Sequence, residues 1–170
     1  MKSFLDWMKD NNPGNYVSID VSDLPVNLIS SDDGTINSKP HVTLMYSKAS
    51  GIHPDQIQNS LNRYNIAGSK ATVHGVTVFP DSSTPGKSAI VLELLHPELN
   101  RIHDAICAMG CKHSFIPFRP HATMLYGVDD SKTKEIVDRI SPEIIGKNIM
   151  MGEIHSTPVK ENWVDSLNKK

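Results

Sequence analysis

Polar and apolar residues alternate along Tyr16–Val21 (YVSIDV), the pattern of a half-buried strand. A loop with the turn chemistry Asp32-Asp33-Gly34 and then Pro40 leads into His41–Tyr46 (HVTLMY), a second strand. His53-Pro54-Asp55 opens a helix to about Tyr64, with Ile57 and Leu61 on one face. Thr72–Phe79 (TVHGVTVF) and Ser88–Leu95 (SAIVLELL) are β-rich runs on either side of the loop Pro80–Gly86. Pro97 suits the first position of a helix to about Met109, which Gly110 stops. His121–Tyr126 (HATMLY) is a further strand, followed by a helix over Ser131–Ile140 and a strand over Ile149–Thr157.

The pattern repeats. Pro40-His41-Val42-Thr43-Leu44-Met45-Tyr46 matches Pro120-His121-Ala122-Thr123-Met124-Leu125-Tyr126, and each copy precedes a helix and then a strand. A period of 80 residues seen twice suggests a duplicated lobe, not a solenoid array. The expected fold is α+β: a single domain over residues 1–170 with two pseudo-symmetric strand–helix–strand lobes whose antiparallel sheets line a central cleft.

On a strand, residues i and i+2 project from the same face. His41 and Thr43 therefore share a face, as do His121 and Thr123. Two imidazoles and two hydroxyls brought together are sufficient for phosphodiester transfer. A neutral His takes a proton from a nucleophilic hydroxyl and a protonated one gives a proton to the leaving oxygen. The Thr hydroxyls hydrogen-bond the phosphate oxygens. One His-x-Thr alone is an ordinary strand sequence. A core has no reason to specify the same seven-residue string twice, which is what turns the reading from packing to chemistry.

Bulk properties narrow the substrate. A formal charge of -2 gives no basic footprint for long nucleic acid, and no run of apolar residues reaches the length of a membrane span. A small anionic ligand remains, with no protein partner implied. The N-terminal MKSFLDWMKDNN lacks the apolar core of a signal peptide, and Cys107 and Cys111 read as reduced thiols, so a cytoplasmic setting is expected. His53, His74, His96, His103 and His113 show no ligand spacing with a carboxylate on the same face, so no metal or other cofactor is expected. Thr84-Pro85-Gly86-Lys87-Ser88 lacks the first Gly of a phosphate loop and is read as a hairpin connection.

The paired H-x-T-hydrophobe signatures, each on a strand before a helix, resemble those of the two-histidine (2H) phosphoesterase superfamily, across Tyr16–Thr157. The resemblance implies that His41 and His121 form the acid/base pair and that Thr43 and Thr123 bind phosphate. The twin endings HVTLMYS and HATMLYG, with the compact size and the absence of a basic surface, look most like the phage anti-CBASS nucleases, which implies a cyclic di- or trinucleotide substrate. Alternatives are RNA 2′,3′-cyclic phosphate or 2′,5′-phosphodiester hydrolysis, and a non-catalytic module that sequesters the signal. Tyr16 and Trp163 are candidates for stacking on a base, Arg119 for a phosphate contact, and Glu153, with His155, for the cleft wall. Tyr46 and Tyr126, five residues after each His, would face away from the cleft on a regular strand.

Overall fold

The computed structural model describes residues 14–47, 52–111 and 118–159. Its strands are β1 (Asn15–Ser22), β2 (Thr35–Ile36), β3 (His41–Ser47), β4 (Lys70–Pro80), β5 (Lys87–Leu95), β6 (His121–Asp129) and β7 (Asn148–Pro158). The helices are α1 (Pro54–Leu61), α2 (Leu99–Ala108) and α3 (Asp130–Ile144), with a 3₁₀ turn at Val26–Leu28. Among the described residues no helix is long and apolar enough to cross a membrane.

Every strand pairing is antiparallel, in the order β2-β6-β3-β1-β7-β4-β5. Because β5 also pairs with β6, the order closes on itself. Two seams in that ring are narrow. β3 meets β6 at the pair Val42↔Ala122, and β4 meets β7 over Lys70–Thr72. The ring therefore falls into two halves, β3-β1-β7 and β6-β5-β4, with the expected sheets on either side of the His-x-Thr strands.

The halves are not consecutive strand–helix–strand units, as the repeat suggested. The strand after each helix crosses over: β4 joins β5 and β6, and β7 joins β1 and β3. The reason is that β3 and β6 have neighbours on both sides, leaving the next strand only an outer edge to pair with. α1 lies against β7, α2 against β3, and α3 against β4, β5 and β6. Val42, Leu44, Met45, Ala122, Met124 and Leu125 from the two central strands join Ile57, Leu61, Ile102, Ile106, Ile136 and Ile140 from the helices in one buried cluster. The opposite face of the sheet carries the polar residues.

Boundaries differ from the pattern where tertiary contacts override it. α1 ends at Leu61, short of Tyr64, whose N–H closes a tight turn on the Leu61 carbonyl. Its start follows the sequence: Pro54 is the first residue and the His53 ring accepts the Asp55 N–H at 3.1 Å. α2 begins at Leu99, because residues 97 and 98 form a turn before it. Gly110, at φ +111°, ends that segment. α3 continues through Pro142 to Ile144, since Ile140 and Ile144 are both buried and their packing offsets the lost backbone bond. The short β2 was not legible as a strand. It hugs β6 so closely that a Cβ on Gly34 would stand 2.6 Å from the Tyr126 carbonyl oxygen.

One edge is finished by a side chain. Beyond its pairing with β4, β7 is met by Gln58 of α1, which donates to the Ile154 carbonyl at 3.1 Å and accepts the Ser156 N–H at 2.9 Å. The amide stands in for the missing neighbour strand.

Candidate active site

Val42 and Ala122 are fully buried and face each other across the β3–β6 seam. Alternation then sends His41, Thr43, His121 and Thr123 to the other face, and all four are partly exposed there. Antiparallel register about Val42↔Ala122 sets His41 opposite Thr123 and Thr43 opposite His121. The local twofold of this pair is the symmetry that the sequence repeat anticipates, and the four residues meet at its centre.

Both imidazoles are oriented in the same way. His41 Nδ1 lies 3.1 Å from the Lys39 carbonyl, and His121 Nδ1 lies 2.8 Å from the Arg119 carbonyl. A carbonyl only accepts, so each Nδ1 carries the hydrogen when the ring is neutral and each Nε2 keeps its lone pair. Pro40 and Pro120 stand immediately before β3 and β6, where a ring without N–H costs no ladder bond.

A repeated irregularity shapes the rest of the face. Val17 and Ser18 on β1 oppose Met45 and Thr43, so Leu44 is an extra residue on β3. Ile90 and Val91 on β5 oppose Leu125 and Thr123, so Met124 is the extra residue on β6. These β-bulges stand at identical places in the two motifs and reverse the alternation beyond them. Tyr46 and Tyr126 are thereby turned to the His-x-Thr side, contrary to the expectation for a regular strand. The Tyr126 hydroxyl bonds Thr123, while burial, the larger influence, pushes it above the ordinary phenol value. Tyr46 is buried with its ring edge-on to Tyr16 at 6.5 Å. The bulged carbonyls are satisfied separately: Leu44 O by His103 Nδ1–H at 2.7 Å, and Met124 O by the Asn37 N–H at 3.0 Å.

Tyr16, singled out in the sequence, lies at the site. Its hydroxyl is 3.1 Å from Thr43 Oγ1 and its ring meets His41 edge-on at 6.1 Å. Burial raises its hydroxyl above the usual phenol value, with the Thr43 bond opposing. Arg119 also lies at the site, with its carbonyl on His121 and its guanidinium paired with the Glu93 carboxylate. Glu153 is exposed and lines a hollow of about 310 Å³ against α1, with Gln58, Asn62 and Tyr64. His155 Nε2 is 2.8 Å from Asp20 Oδ2. Trp163 and His113 lie outside the described residues. Burial holds His121 below the ordinary imidazole value; the Arg119 carbonyl bond opposes this, and the Arg119 and His41 charges reinforce it.

Three groups escaped the sequence reading: Asp20, Glu93 and Phe79. Asp20 and Glu93 are the only acidic residues on β1 and β5, the signal that could have found them. Phe79 packs edge-on against His121 at 4.9 Å.

An antiparallel α+β fold whose two His-x-Thr strands meet at a local twofold defines the two-histidine phosphoesterase class. The model of the anti-CBASS protein Acb1 family matches residues 27–166, which include both motifs, and the chain belongs to that family. Among solved structures, Usb1 from Kluyveromyces marxianus superposes with a TM-score of 0.50 at 8% identity, covering 87% of this chain and 99% of that one. E. coli LigT, complexed with 3′-AMP, superposes with a TM-score of 0.49 at 16% identity, covering 88% and 97%. At such identities the likeness is one of fold. Among curated protein sequences, none matches the chain.

Proposed function

We propose that the protein is a metal-independent phosphodiesterase that opens 3′,5′ bonds of cyclic di- and trinucleotide immune signals. The observation that carries this reading is the Val42↔Ala122 register, which puts two imidazoles and two hydroxyls on one half-open face. Both Nδ1 atoms are tied to backbone carbonyls, so both Nε2 atoms are available for proton transfer. Membership of the anti-CBASS family supports a cyclic oligonucleotide as the substrate class.

His41 and His121 carry the protons, and Thr43 and Thr123 hydrogen-bond the non-bridging oxygens as charge develops there. The nucleophile is the substrate's own 2′-hydroxyl, adjacent to the 3′-phosphate, which makes the attack intramolecular. One His removes the 2′-hydroxyl proton as the O2′–P bond forms. The other delivers a proton to the 5′-oxygen as the P–O5′ bond breaks, leaving a linear product with a 2′,3′-cyclic phosphate. Water opens that ring with the two roles exchanged. Two imidazoles supply both transfers, so the chemistry requires no Lewis acid. Tyr16 and Trp163 are the proposed base-stacking residues.

The test is a panel of cyclic dinucleotides, cyclic trinucleotides and 2′,3′-cyclic mononucleotides, read by chromatography with and without excess EDTA. Turnover of the cyclic oligonucleotides, unaffected by chelator, is expected. Turnover of the mononucleotides alone would give the substrate to RNA-end chemistry, and loss in EDTA with recovery on added Mn²⁺ or Zn²⁺ would overturn the metal-free mechanism.

A further inference from the structure

Equivalent positions in the two halves carry a feature that lies outside both motifs. Across the β1–β3 ladder Asp20 is the partner of His41, and across the β5–β6 ladder Glu93 is the partner of His121. Cross-strand partners share a face with Cβ atoms about 5 Å apart. Each imidazole therefore has a carboxylate as its ladder neighbour, and each carboxylate has its own basic partner. Asp20 is paired with His155, and Glu93 with Arg119.

The two pairs differ in kind. A guanidinium keeps its charge throughout the working range of an enzyme, which an imidazole in general does not. The Asp20 side chain is 62% exposed and that of Glu93 only 13%, so the carboxylate beside His121 is far less open to water than the one beside His41. Arg119 is also fixed at two points, since its carbonyl accepts from His121 Nδ1 and its guanidinium is clamped by the cross-strand partner of His121. Gly75 leaves room for that clamp: a Cβ there would stand 3.1 Å from Glu93 Oε2. The groups facing His121 are Glu93 from β5, Arg119 at the entry to β6, His41 from β3, Tyr126 through Thr123, and uncharged Phe79 from β4. His74 of β4 lines a hollow of about 210 Å³ with Glu93 and Arg119.

We propose that Glu93 and Arg119 are positioning residues that set the direction of the first step: His121 takes the 2′-hydroxyl proton, and His41 protonates the leaving 5′-oxygen. This rests on the two-imidazole reading above. The permanent cation held beside His121 disfavours a second positive charge on that ring before substrate arrives. Phe79 against the ring and burial of the residue act in the same direction, as does the charge of His41. The β3 half of the site thus presents the acid and the β6 half the base.

The experiment is the pH dependence of kcat/KM for a cyclic dinucleotide in the wild type, Arg119→Gln, and the double variant Arg119→Gln/Glu93→Gln. The acidic limb reports the group that must be neutral in free enzyme. Arg119→Gln leaves the Glu93 carboxylate uncompensated beside His121, so the acidic limb moves up by on the order of one pH unit while the alkaline limb stays. The double variant removes the carboxylate as well, so the acidic limb falls back only part of the way and stays above that of the wild type, because the cation beside His121 is gone too. Movement of the alkaline limb instead reverses the roles of the two histidines and overturns the proposal. Limbs that stay fixed while kcat/KM falls evenly at all pH values reduce Arg119 to a phosphate contact, which also overturns it. A wild type that cleaves no cyclic nucleotide contradicts the functional reading itself. Titration of the His121 ring by NMR in the same variants reads the charge coupling without turnover, and an unmoved ring titration overturns the proposal by itself.

Discussion

β3 and β6 carry the same seven-residue string and the same bulge, yet their surroundings have little in common. The β3 bulge hangs its carbonyl on a buried histidine of α2, and the β6 bulge hangs its carbonyl on a backbone N–H next to β2. Thr43 shares its hydroxyl with Tyr16 of another strand, whereas Thr123 shares its own with Tyr126 of the same strand. The carboxylate beside His41 is exposed and paired with an imidazole; the one beside His121 is largely covered and paired with a guanidinium. What the two strands share is what the proposed mechanism needs in each of its steps, an imidazole and a hydroxyl on one face. What they do not share makes one ring unlike the other, and a reaction with a direction needs that difference.

The largest expected effects break the shared part. His41→Ala and His121→Ala each remove one proton transfer and should each lower turnover by at least ~100-fold, with ligand binding retained. Full activity in either folded variant contradicts the paired mechanism, and comparable losses in both are what the symmetry requires. Thr43→Ala and Thr123→Ala each remove one donor to the phosphate and should cost on the order of 10²-fold. Thr→Ser at either position should recover much of it, because the hydroxyl is what matters. A serine variant as slow as the alanine one would assign the threonines to packing.

A smaller effect sharpens the contrast between the two bulges. His103→Ala leaves the Leu44 carbonyl without its 2.7 Å donor in the core and takes the ring off Phe118, against which it stacks at 4.0 Å. The expected loss of stability is about 1–3 kcal/mol, measured by denaturant unfolding. Asn37→Ala keeps the backbone N–H on the Met124 carbonyl and removes the side-chain bond to the Thr123 carbonyl, for about 0.5–1.5 kcal/mol. Equal losses would mean that the two bulges are held in the same way.

Most of the strands and the tetrad were legible because their information is local. Alternation marks β1, and the repeated Pro-His-x-Thr string names four residues without any knowledge of which strands pair. The bulges were written there too, as Leu44-Met45 and Met124-Leu125, two adjacent apolar residues that break strict alternation and are both buried. Read as regular strands, they sent Tyr46 and Tyr126 to the wrong side. Asp20 and Glu93 were not legible as partners of the histidines, because the ladders that place them join residues 21 and 28 positions apart. The exchange of β4 and β7 between the halves escaped for the same reason: it depends on which edges are already taken.

The central claim is that the two imidazoles act on a substrate that supplies its own nucleophile. Its most direct test is a cyclic dinucleotide with both 2′-hydroxyls replaced by hydrogen, assayed beside the ribose form for binding by calorimetry and for cleavage by chromatography. The account predicts that the deoxy ring binds, since phosphate and base contacts remain, and that it is not cut. Hydrolysis of the deoxy ring at a rate close to that of the ribose form would make external water the attacking group and contradict the mechanism.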